Sequence, residues 1–147
     1  MPSIKEITSI ETFQVRHPVL RAGKSVESCQ FEGDDFETTI HFGFFDNDKI
    51  VGVTSIFKNN NSLFANPTTF QIRGMAVLEG FQKSGIGKKL LIHSEHHLIS
   101  KKSDLIWFNA RENAVGFYKK LGYSIIGKRF EIKDVGNHFV MYKKLHY

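Results

Sequence analysis

The sequence predicts an α/β (α+β) fold: a mixed, largely antiparallel sheet of six to seven strands, with a central parallel β-α-β unit and helices on both faces. Runs of β-branched and aromatic residues towards both ends of the chain are expected to fold back as antiparallel hairpins. Between them lie a strand-like run (71–78), a helical run (85–100) and a short apolar run (104–109). A strand–helix–strand unit of this kind makes its two strands parallel and its crossover right-handed.

Each element follows from a local residue pattern. Ile86, Leu90, Leu91 and Leu98 recur at helical spacing, and the apolar residues of 105–108 are typical of a strand buried on both faces. The other predicted elements, in chain order, are a strand (4–8), a helix (9–20) that Pro18 is expected to shorten, an acidic loop (27–37), a hairpin (38–45 and 49–58) around a turn at 46–48, a helix (113–121) ended by Gly122, and a final pair of strands (123–127 and 139–145).

Length and composition predict a single globular domain over residues 1–147. The chain is 41% hydrophobic and 24% charged, and no apolar run approaches the roughly 20 residues of a membrane span, so no membrane partner is expected. The first residues lack the apolar stretch of a secretion signal. A single cysteine, Cys29, excludes an internal disulfide and fits a reducing cytoplasm, which is the predicted location. Cys29 is either a nucleophile or, more simply, an inert and partly buried thiol.

Charge is distributed unevenly along the chain. Residues 1–81 contain seven basic and ten acidic side chains, a net charge of −3, whereas residues 82–147 contain thirteen and five, a net charge of +8. A basic half of this kind suits a polyanionic ligand. The alternative is that its lysine doublets lie on solvated faces of helices and strands.

The segment from Gln82 to Lys88, which we call the glycine loop, connects the strand at 71–78 to the helix at 85–100. Its sequence is Gln82-Lys83-Ser84-Gly85-Ile86-Gly87-Lys88. Glycines at a helix start allow main-chain N–H groups to approach an anion, and the helix dipole favours negative charge there. Lys83 and Lys88 add full positive charges. The glycine loop is therefore predicted to bind a phosphate or pyrophosphate, the alternative being an ordinary turn.

Gly74 lies inside the strand that precedes the glycine loop. A glycine in a strand often marks a bulge, which turns a main-chain N–H away from its neighbour and leaves it free for a ligand. The alternative is that a small residue is needed there for packing. With a bulge, the strand edge, the loop and the helix start would form one main-chain surface for a long, anionic ligand.

Two blocks of sequence resemble the GCN5-related N-acetyltransferase (GNAT) superfamily. Gln82, Gly85 and Gly87 match the family's Arg/Gln-x-x-Gly-x-Gly/Ala acetyl-CoA loop. Downstream, residues 113–123 (Asn-Ala-Val-Gly-Phe-Tyr-Lys-Lys-Leu-Gly-Tyr) resemble the family's Asn-x-x-x-x-Phe-Tyr-x-x-x-Gly-Phe/Tyr block. The resemblance implies a GNAT-like fold and an acetyl-CoA-dependent N-acyltransferase that acetylates a primary amine of a small molecule or peptide, with no metal.

The resemblance also implies roles for particular residues. Tyr118 would lie near the cofactor sulfur and protonate the departing thiolate. Asn113 would bond the pantetheine arm or its adjoining amide, with Asn109 at the strand end as a weaker candidate. The main-chain groups of the remaining residues would pair with the pantetheine arm (Met75, Ala76, Val77) or hold the pyrophosphate (Gln82, Lys83, Ser84, Gly85, Ile86, Gly87, Lys88). Without the resemblance, Tyr118 is equally well explained as a core aromatic.

The general base is not apparent from the sequence. Many relatives use a glutamate on the strand that contains the bulge, where this chain has Gln71 and Arg73. Glu79 in the following loop and His41 on an earlier strand are candidates, and a water relay is an equal alternative.

Two other functional classes remain open at this point. One is a catalytically silent acetyl-CoA sensor. The other is a basic nucleic-acid-binding module, because the chain has a pI of about 9.3 and 13% aromatic residues. That module would expose aromatics beside arginines on one sheet face, whereas Phe42, Phe44, Phe57 and Phe108 fall in strands that are predicted to face the core. No nucleic-acid partner is therefore expected.

A metal site is not predicted either. His93 and His97 share a helix face with His96 beside them, but the order is His-Ser-Glu-His-His rather than the His-Glu-x-x-His zinc pattern. A polar helix face is the simpler interpretation.

The N-terminal half normally builds the acceptor side in this family, and here it contains an acidic segment with Asp34 and Asp35. A cationic acceptor is one hypothesis, and a solvated acidic loop is the alternative. A homodimer is expected only by analogy with relatives.

Overall fold

A computed structural model describes residues 2–145, which form three α-helices and one seven-stranded sheet with strand order β1-β2-β3-β4-β5-β7-β6. The elements, in chain order, are β1 (Ser3–Ile7), α1 (Ser9–Leu20), β2 (Ile40–Asp46), β3 (Lys49–Lys58), β4 (Phe70–Val77), α2 (Ile86–Ser100), β5 (Leu105–Arg111), α3 (Val115–Lys120), β6 (Ser124–Ile132) and β7 (Gly136–Lys144), with short 3₁₀ segments at Val26–Cys29 and Glu112–Ala114.

The chain divides into two compact units. The first contains the chain up to Phe57 together with Ile72–His97, and the second contains Lys58–Gln71 together with the chain from Leu98 onward. The prediction of a single domain over 1–147 stays a prediction.

In the first unit, β1, β2 and β3 pair antiparallel, and α1 and α2 cover opposite faces of β3. Val53 of β3 lies in a buried cluster with Val15 of α1. The neighbouring Gly52 faces the other way, because a Cβ added there would lie 2.8 Å from Ile86 and 3.2 Å from Leu90 of α2. Successive residues of a strand point to opposite faces, so the prediction of helices on both faces is confirmed for these two helices.

The second unit contains the parallel pairing of the sheet. Phe70 and Gln71 of β4 pair with Ile106 and Trp107 of β5, as expected for the crossover through α2. β5 then pairs antiparallel with β7, and β7 with β6. The side chains of residues 105–108 are all buried, which confirms that β5 is covered on both faces.

The predicted bounds of α1 are confirmed, but the expected effect of Pro18 and the bounds of three later elements were wrong. Pro18 does not shorten α1, which begins with a capping box between Thr8 and Glu11 and runs to Leu20. The predicted helix at 113–121 is α3 preceded by a 3₁₀ turn. Finally, β6 and β7 are longer than predicted. The pairing register shifts between Ile126 and Phe130, and this irregular, exposed stretch interrupts the alternating pattern from which strands are predicted.

None of the helices among residues 2–145 combines the length and apolar character needed to cross a bilayer.

Candidate functional site

The glycine loop combines two residues in the left-handed conformation with the start of a helix. Lys83 and Gly85 have positive φ angles of 66° and 86°, and α2 begins at the next residue, Ile86. The Lys89 N–H donates to the Gly85 carbonyl at 3.0 Å. The N–H groups that precede it in the first turn have no carbonyl partner within the helix, because a helix leaves its first N–H groups unpaired. Lys83 and Lys88 are both exposed beside these groups.

Side chains connect this loop to the end of β4. The Gln82 Nε2 donates to the Val77 carbonyl at 2.8 Å, and the Ser84 hydroxyl donates to the Phe81 carbonyl. A Cβ added at Gly87 would lie 4.0 Å from the Met75 sulfur. The structure thus brings the predicted pantetheine-pairing segment, Met75–Val77, together with the predicted pyrophosphate loop. Ala76 points into the core, whereas Met75 and Val77 are half-buried.

For Gly74 the packing alternative is supported, and its backbone conformation is also unusual for a strand. Its φ angle is 67°, a conformation that favours glycine. A Cβ at this position would also lie 2.9 Å from the Phe31 ring and 3.3 Å from the Arg16 Nε. The site therefore requires glycine for its backbone conformation and for packing against two side chains from earlier in the chain.

The other predicted site residues lie in the second unit. Asn109 is exposed on β5 opposite Val140, and Asn113 is exposed in the 3₁₀ turn before α3. Tyr118 of α3 is half-buried and packs against aromatic rings, with centroid distances of 4.4 Å to Phe108 and 5.1 Å to Phe117. Burial raises the pKa of the Tyr118 phenol above its ordinary value, because ionisation would place a charge in apolar surroundings. Tyr118 therefore stays protonated at neutral pH.

A buried ion pair, which sequence reasoning missed, lies beside Gly74. Arg16 of α1 donates to both oxygens of Asp34, at 2.6 and 3.1 Å, and both side chains are 0% exposed. Arg16 also donates to the Cys29 carbonyl at 2.8 Å and to the Ser55 hydroxyl at 2.9 Å. Its Nε has no hydrogen-bond partner among residues 2–145. Arg16 and Asp34 are 18 positions apart in the sequence, so no local sequence pattern indicates that they pair.

This ion pair contradicts part of the hypothesis of a cationic acceptor. Asp34 is buried and bound to Arg16, so its carboxylate does not face a substrate. Asp35 is exposed, but it accepts hydrogen bonds from the Ser9 hydroxyl at 2.7 Å and from the Gln30 amide at 3.1 Å. The two aspartates of the acidic segment thus form hydrogen bonds that attach this loop to α1 and stabilise its own conformation.

His41 is engaged at both ring nitrogens. Its Nε2 lies 2.9 Å from the Asp34 carbonyl, and its Nδ1 lies 2.6 Å from the Ser55 hydroxyl. A carbonyl only accepts, so Nε2 donates to Asp34, and Nδ1 is engaged with the Ser55 hydroxyl. His41 is therefore a structural residue without a free lone pair for catalysis. The other candidate base, Glu79, is exposed in the loop after β4.

The remaining candidate groups have simpler explanations. Among residues 2–145, no three His, Cys, Asp or Glu side chains are arranged to hold a metal ion. His93 and His97 instead contact the ring of Phe42, with centroids 4.6 and 5.5 Å away. Cys29 is fully buried, and burial raises the pKa of its thiol, which argues against a nucleophile. The aromatics weighed as stacking platforms for nucleic acid belong to the core (Phe42, Phe44, Phe57, Phe108).

Comparison with known proteins identifies relatives over nearly the whole chain. The model of the acetyltransferase (GNAT) family matches residues 4–123. The N-acetyltransferase YitI of Bacillus subtilis strain 168, itself uncharacterized, is 35% identical over 145 residues, which cover 99% of this chain and 97% of that protein.

Solved structures share the fold. An aminoglycoside 6′-N-acetyltransferase in complex with coenzyme A superposes with a TM-score of 0.75 at 15% identity, covering 97% of this chain and 96% of that one. The ribosomal-protein-S18-alanine N-acetyltransferase from Escherichia coli gives 0.76 at 16% identity, covering 100% and 96%. At these identities the likeness concerns the fold, and it confirms the predicted mixed α/β architecture.

Proposed function

Because this chain belongs to the GNAT family of N-acetyltransferases, we propose that it transfers the acetyl group of acetyl-CoA directly to a primary amine of a small molecule or peptide. The observation that supports cofactor binding is the geometry of the glycine loop. Two residues with positive φ, Lys83 and Gly85, precede the start of α2 and its unpaired N–H groups. We assign the pyrophosphate to this loop and the pantetheine arm to the main chain of Met75, Ala76 and Val77.

The chemistry follows from the groups that this assignment brings near the thioester. The acceptor amine attacks the thioester carbonyl, and holding both substrates in place supplies much of the acceleration. Positive φ at Gly74 departs from regular strand geometry, and a main-chain N–H there is the proposed donor to the developing oxyanion. One well-placed donor of this kind lowers the activation barrier by about 3 kcal/mol.

Tyr118 is the proposed proton donor to the departing thiolate. Its half-buried phenol has a raised pKa and stays protonated at neutral pH, as a proton donor requires. Asn113, with Asn109 as a second candidate, is proposed to bond the amides of the pantetheine arm, and both side chains are exposed and available.

Removal of the amine proton is assigned to water. Only a neutral amine attacks, so the ammonium must first lose a proton. His41 has both ring nitrogens engaged, and β4 has no carboxylate, with Gln71 and Arg73 where many relatives have a glutamate. We therefore propose that solvent accepts that proton, with the exposed Glu79 as the other candidate.

The test compares two glycine-to-alanine variants. Gly85 and Gly23 both have positive φ, and neither would bring a new Cβ within 4 Å of another atom, so the intrinsic backbone cost is matched. Gly85→Ala is expected to weaken coenzyme A binding about 10-fold or more, as expected from the loss of one charge-assisted hydrogen bond. Gly23→Ala should leave binding unchanged. Titration calorimetry measures both.

Turnover is then measured by free-thiol release from acetyl-CoA with a panel of amines. Coenzyme A binding with acetylation of at least one amine supports the proposal. Binding without turnover of any amine would favour an acetyl-CoA sensor, and no binding would refute both.

A further inference from the structure

Arg73 lies on β4 immediately before Gly74, the proposed source of the oxyanion donor. Its guanidinium carbon is 5.2 Å from the centroid of the Phe31 ring and 5.1 Å from that of Phe57, and the side chain is half-buried. Both distances are within the range of a cation–π contact, which orients a guanidinium without bonding its N–H groups. The side chain is thus held in place while its hydrogen-bond donors stay available.

The Arg73 side chain has no direct polar partner in the part of the chain that the structure describes: among residues 2–145 it forms neither a hydrogen bond nor an ion pair with a protein group. The nearby buried carboxylate, Asp34, is taken by both arms of Arg16. The negative charge of Glu32 also favours the charged form of Arg73, but Glu32 is exposed, so solvent screens its charge.

Positive charge is concentrated at this point. The Phe31 ring has three guanidinium carbons near its centroid, those of Arg16 at 3.9 Å and of Arg21 and Arg73 at 5.2 Å each. We call Arg16, Arg21, Arg73, Phe31 and Asp34 the arginine cluster. It contains three cations and one buried anion. Burial lowers the pKa of Arg73, with Arg16 and Arg21 acting in the same direction and Asp34 and Glu32 opposing it. The attraction between such a half-buried cation and an added anion is stronger than that of an exposed cation, because water screens it less.

We propose that Arg73 binds a carboxylate on the acceptor, and that the preferred substrates are amines that also carry a carboxylate, such as amino acids. The inference rests on the proposed function and names its substrate class. A planar guanidinium matches a carboxylate through two parallel N–H···O bonds, so its available donors favour this group. Because Arg73 adjoins Gly74, a bound carboxylate would place the rest of a small acceptor near the thioester. The same charge repels polyamines and other cationic acceptors.

The experiment measures kcat/KM with acetyl-CoA for matched amines with and without the charge. The pairs are glycine with glycinamide, alanine with alaninamide and glutamate with its diamide, with phosphoethanolamine as a phosphate arm and spermidine as a cationic arm. Each acid-to-amide ratio is compared between wild type and Arg73→Gln, because the ratio of ratios cancels the different basicities of the amines. We expect Arg73→Gln to reduce the preference for the acid about 10- to 100-fold, mainly through KM.

Two further variants keep the test decisive. Arg73→Lys retains the charge but not the planar fork, and should restore only part of the preference. Arg129→Gln removes an exposed arginine paired with Glu112 at 3.3 Å and should leave the preference unchanged. Thermal unfolding of each variant shows that it is folded.

A ratio that Arg73→Gln does not change, or a wild type that prefers spermidine, would overturn the inference and leave the proposed function standing. A preference for phosphoethanolamine that depends on Arg73 would overturn the choice of carboxylate in favour of phosphate.

If coenzyme A binds but no amine is acetylated, the proposed function fails on its own. The carboxylate site is then decided by titrating the coenzyme A complex with N-acetylglycine and N-acetylglycinamide. Binding of the acid alone that Arg73→Gln abolishes supports the inference, and equal binding of the two overturns it.

Discussion

The glycine loop and the arginine cluster lie in the same unit of the chain but offer different kinds of binding group. The glycine loop presents main-chain N–H groups at the start of α2, while the side chain of Gln82 is engaged with Val77. The arginine cluster presents side chains from α1, the following loop and β4, most of them buried. A site that binds a ligand through the main chain requires only a few glycines in one short segment. A site that binds through side chains requires particular residues that are far apart in the sequence.

The first prediction tests whether the arginine cluster depends on its buried pair. Asp34→Asn leaves Arg16 buried with no counter-charge, since the two side chains are 0% exposed and bonded at 2.6 and 3.1 Å. We expect a loss of about 3–5 kcal/mol in the free energy of unfolding, measured in urea. The control is Asp35→Asn, an exposed carboxylate with two hydrogen bonds, which should cost about 1 kcal/mol. Equal losses for the two variants would contradict the special role of the pair.

The second prediction separates cofactor binding from chemistry. Tyr118→Phe should reduce kcat about 100-fold and leave coenzyme A affinity unchanged, because the affinity is assigned to main-chain groups and the proton to this phenol. The raised pKa of Tyr118 keeps the donor protonated through neutral pH. In wild type, the loss of rate from its ionisation should therefore begin at a higher pH than for an ordinary tyrosine, and in Tyr118→Phe this alkaline loss should be absent.

The matched control is Tyr142→Phe, a half-buried tyrosine whose ring lies 5.4 Å from that of Phe64. It should retain the wild-type rate. A Tyr118→Phe variant with wild-type kcat would remove the phenol from the mechanism.

The same contrast explains what could be predicted from the sequence. The central β4–α2–β5 unit and the glycine loop were predicted because their determinants are local: glycine positions, helical spacing in α2 and an apolar run in β5. The longer β6 and β7 were not, because a register shift and exposed residues between Ile126 and Phe130 interrupt the alternating pattern.

The arginine cluster could not be predicted for a different reason. Asp34 was assigned to a solvated or substrate-binding loop because the segment around it is acidic and contains Gly33, whereas its partner Arg16 lies one helix earlier. Gly74 was recognised as unusual, but its contact with Phe31 and Arg16 depends on the tertiary fold. Main-chain sites are visible in a motif, whereas side-chain sites built from several elements require the structure.

The third prediction measures how tightly the arginine cluster packs on β4. Gly74→Ala and Gly23→Ala share a positive φ, at 67° and 77°, so both lose about 1–2 kcal/mol of stability from the backbone. Only Gly74→Ala brings a Cβ within 2.9 Å of the Phe31 ring, which should cost about 1–3 kcal/mol more. Urea unfolding of the two variants gives the difference directly. Equal losses of stability for the two variants would mean that the Phe31 and Arg16 side chains move to accommodate a methyl group, and that the cluster is less tightly packed than its distances indicate.

The last prediction asks how much of the glycine loop's binding depends on a side chain. Lys83 has a φ of 66°, and it is exposed. Lys83→Gly relieves the backbone strain of the folded state but increases the conformational entropy of the unfolded chain. The two effects oppose each other, so the stability of the variant should lie within about 1 kcal/mol of wild type. Lys83→Gln removes the same charge and keeps the strain. Both should weaken coenzyme A binding no more than about 5-fold, as expected for an exposed charge, and less at high salt. A loss of about 100-fold in both would break the contrast, because the loop would then bind through a side chain as the arginine cluster does.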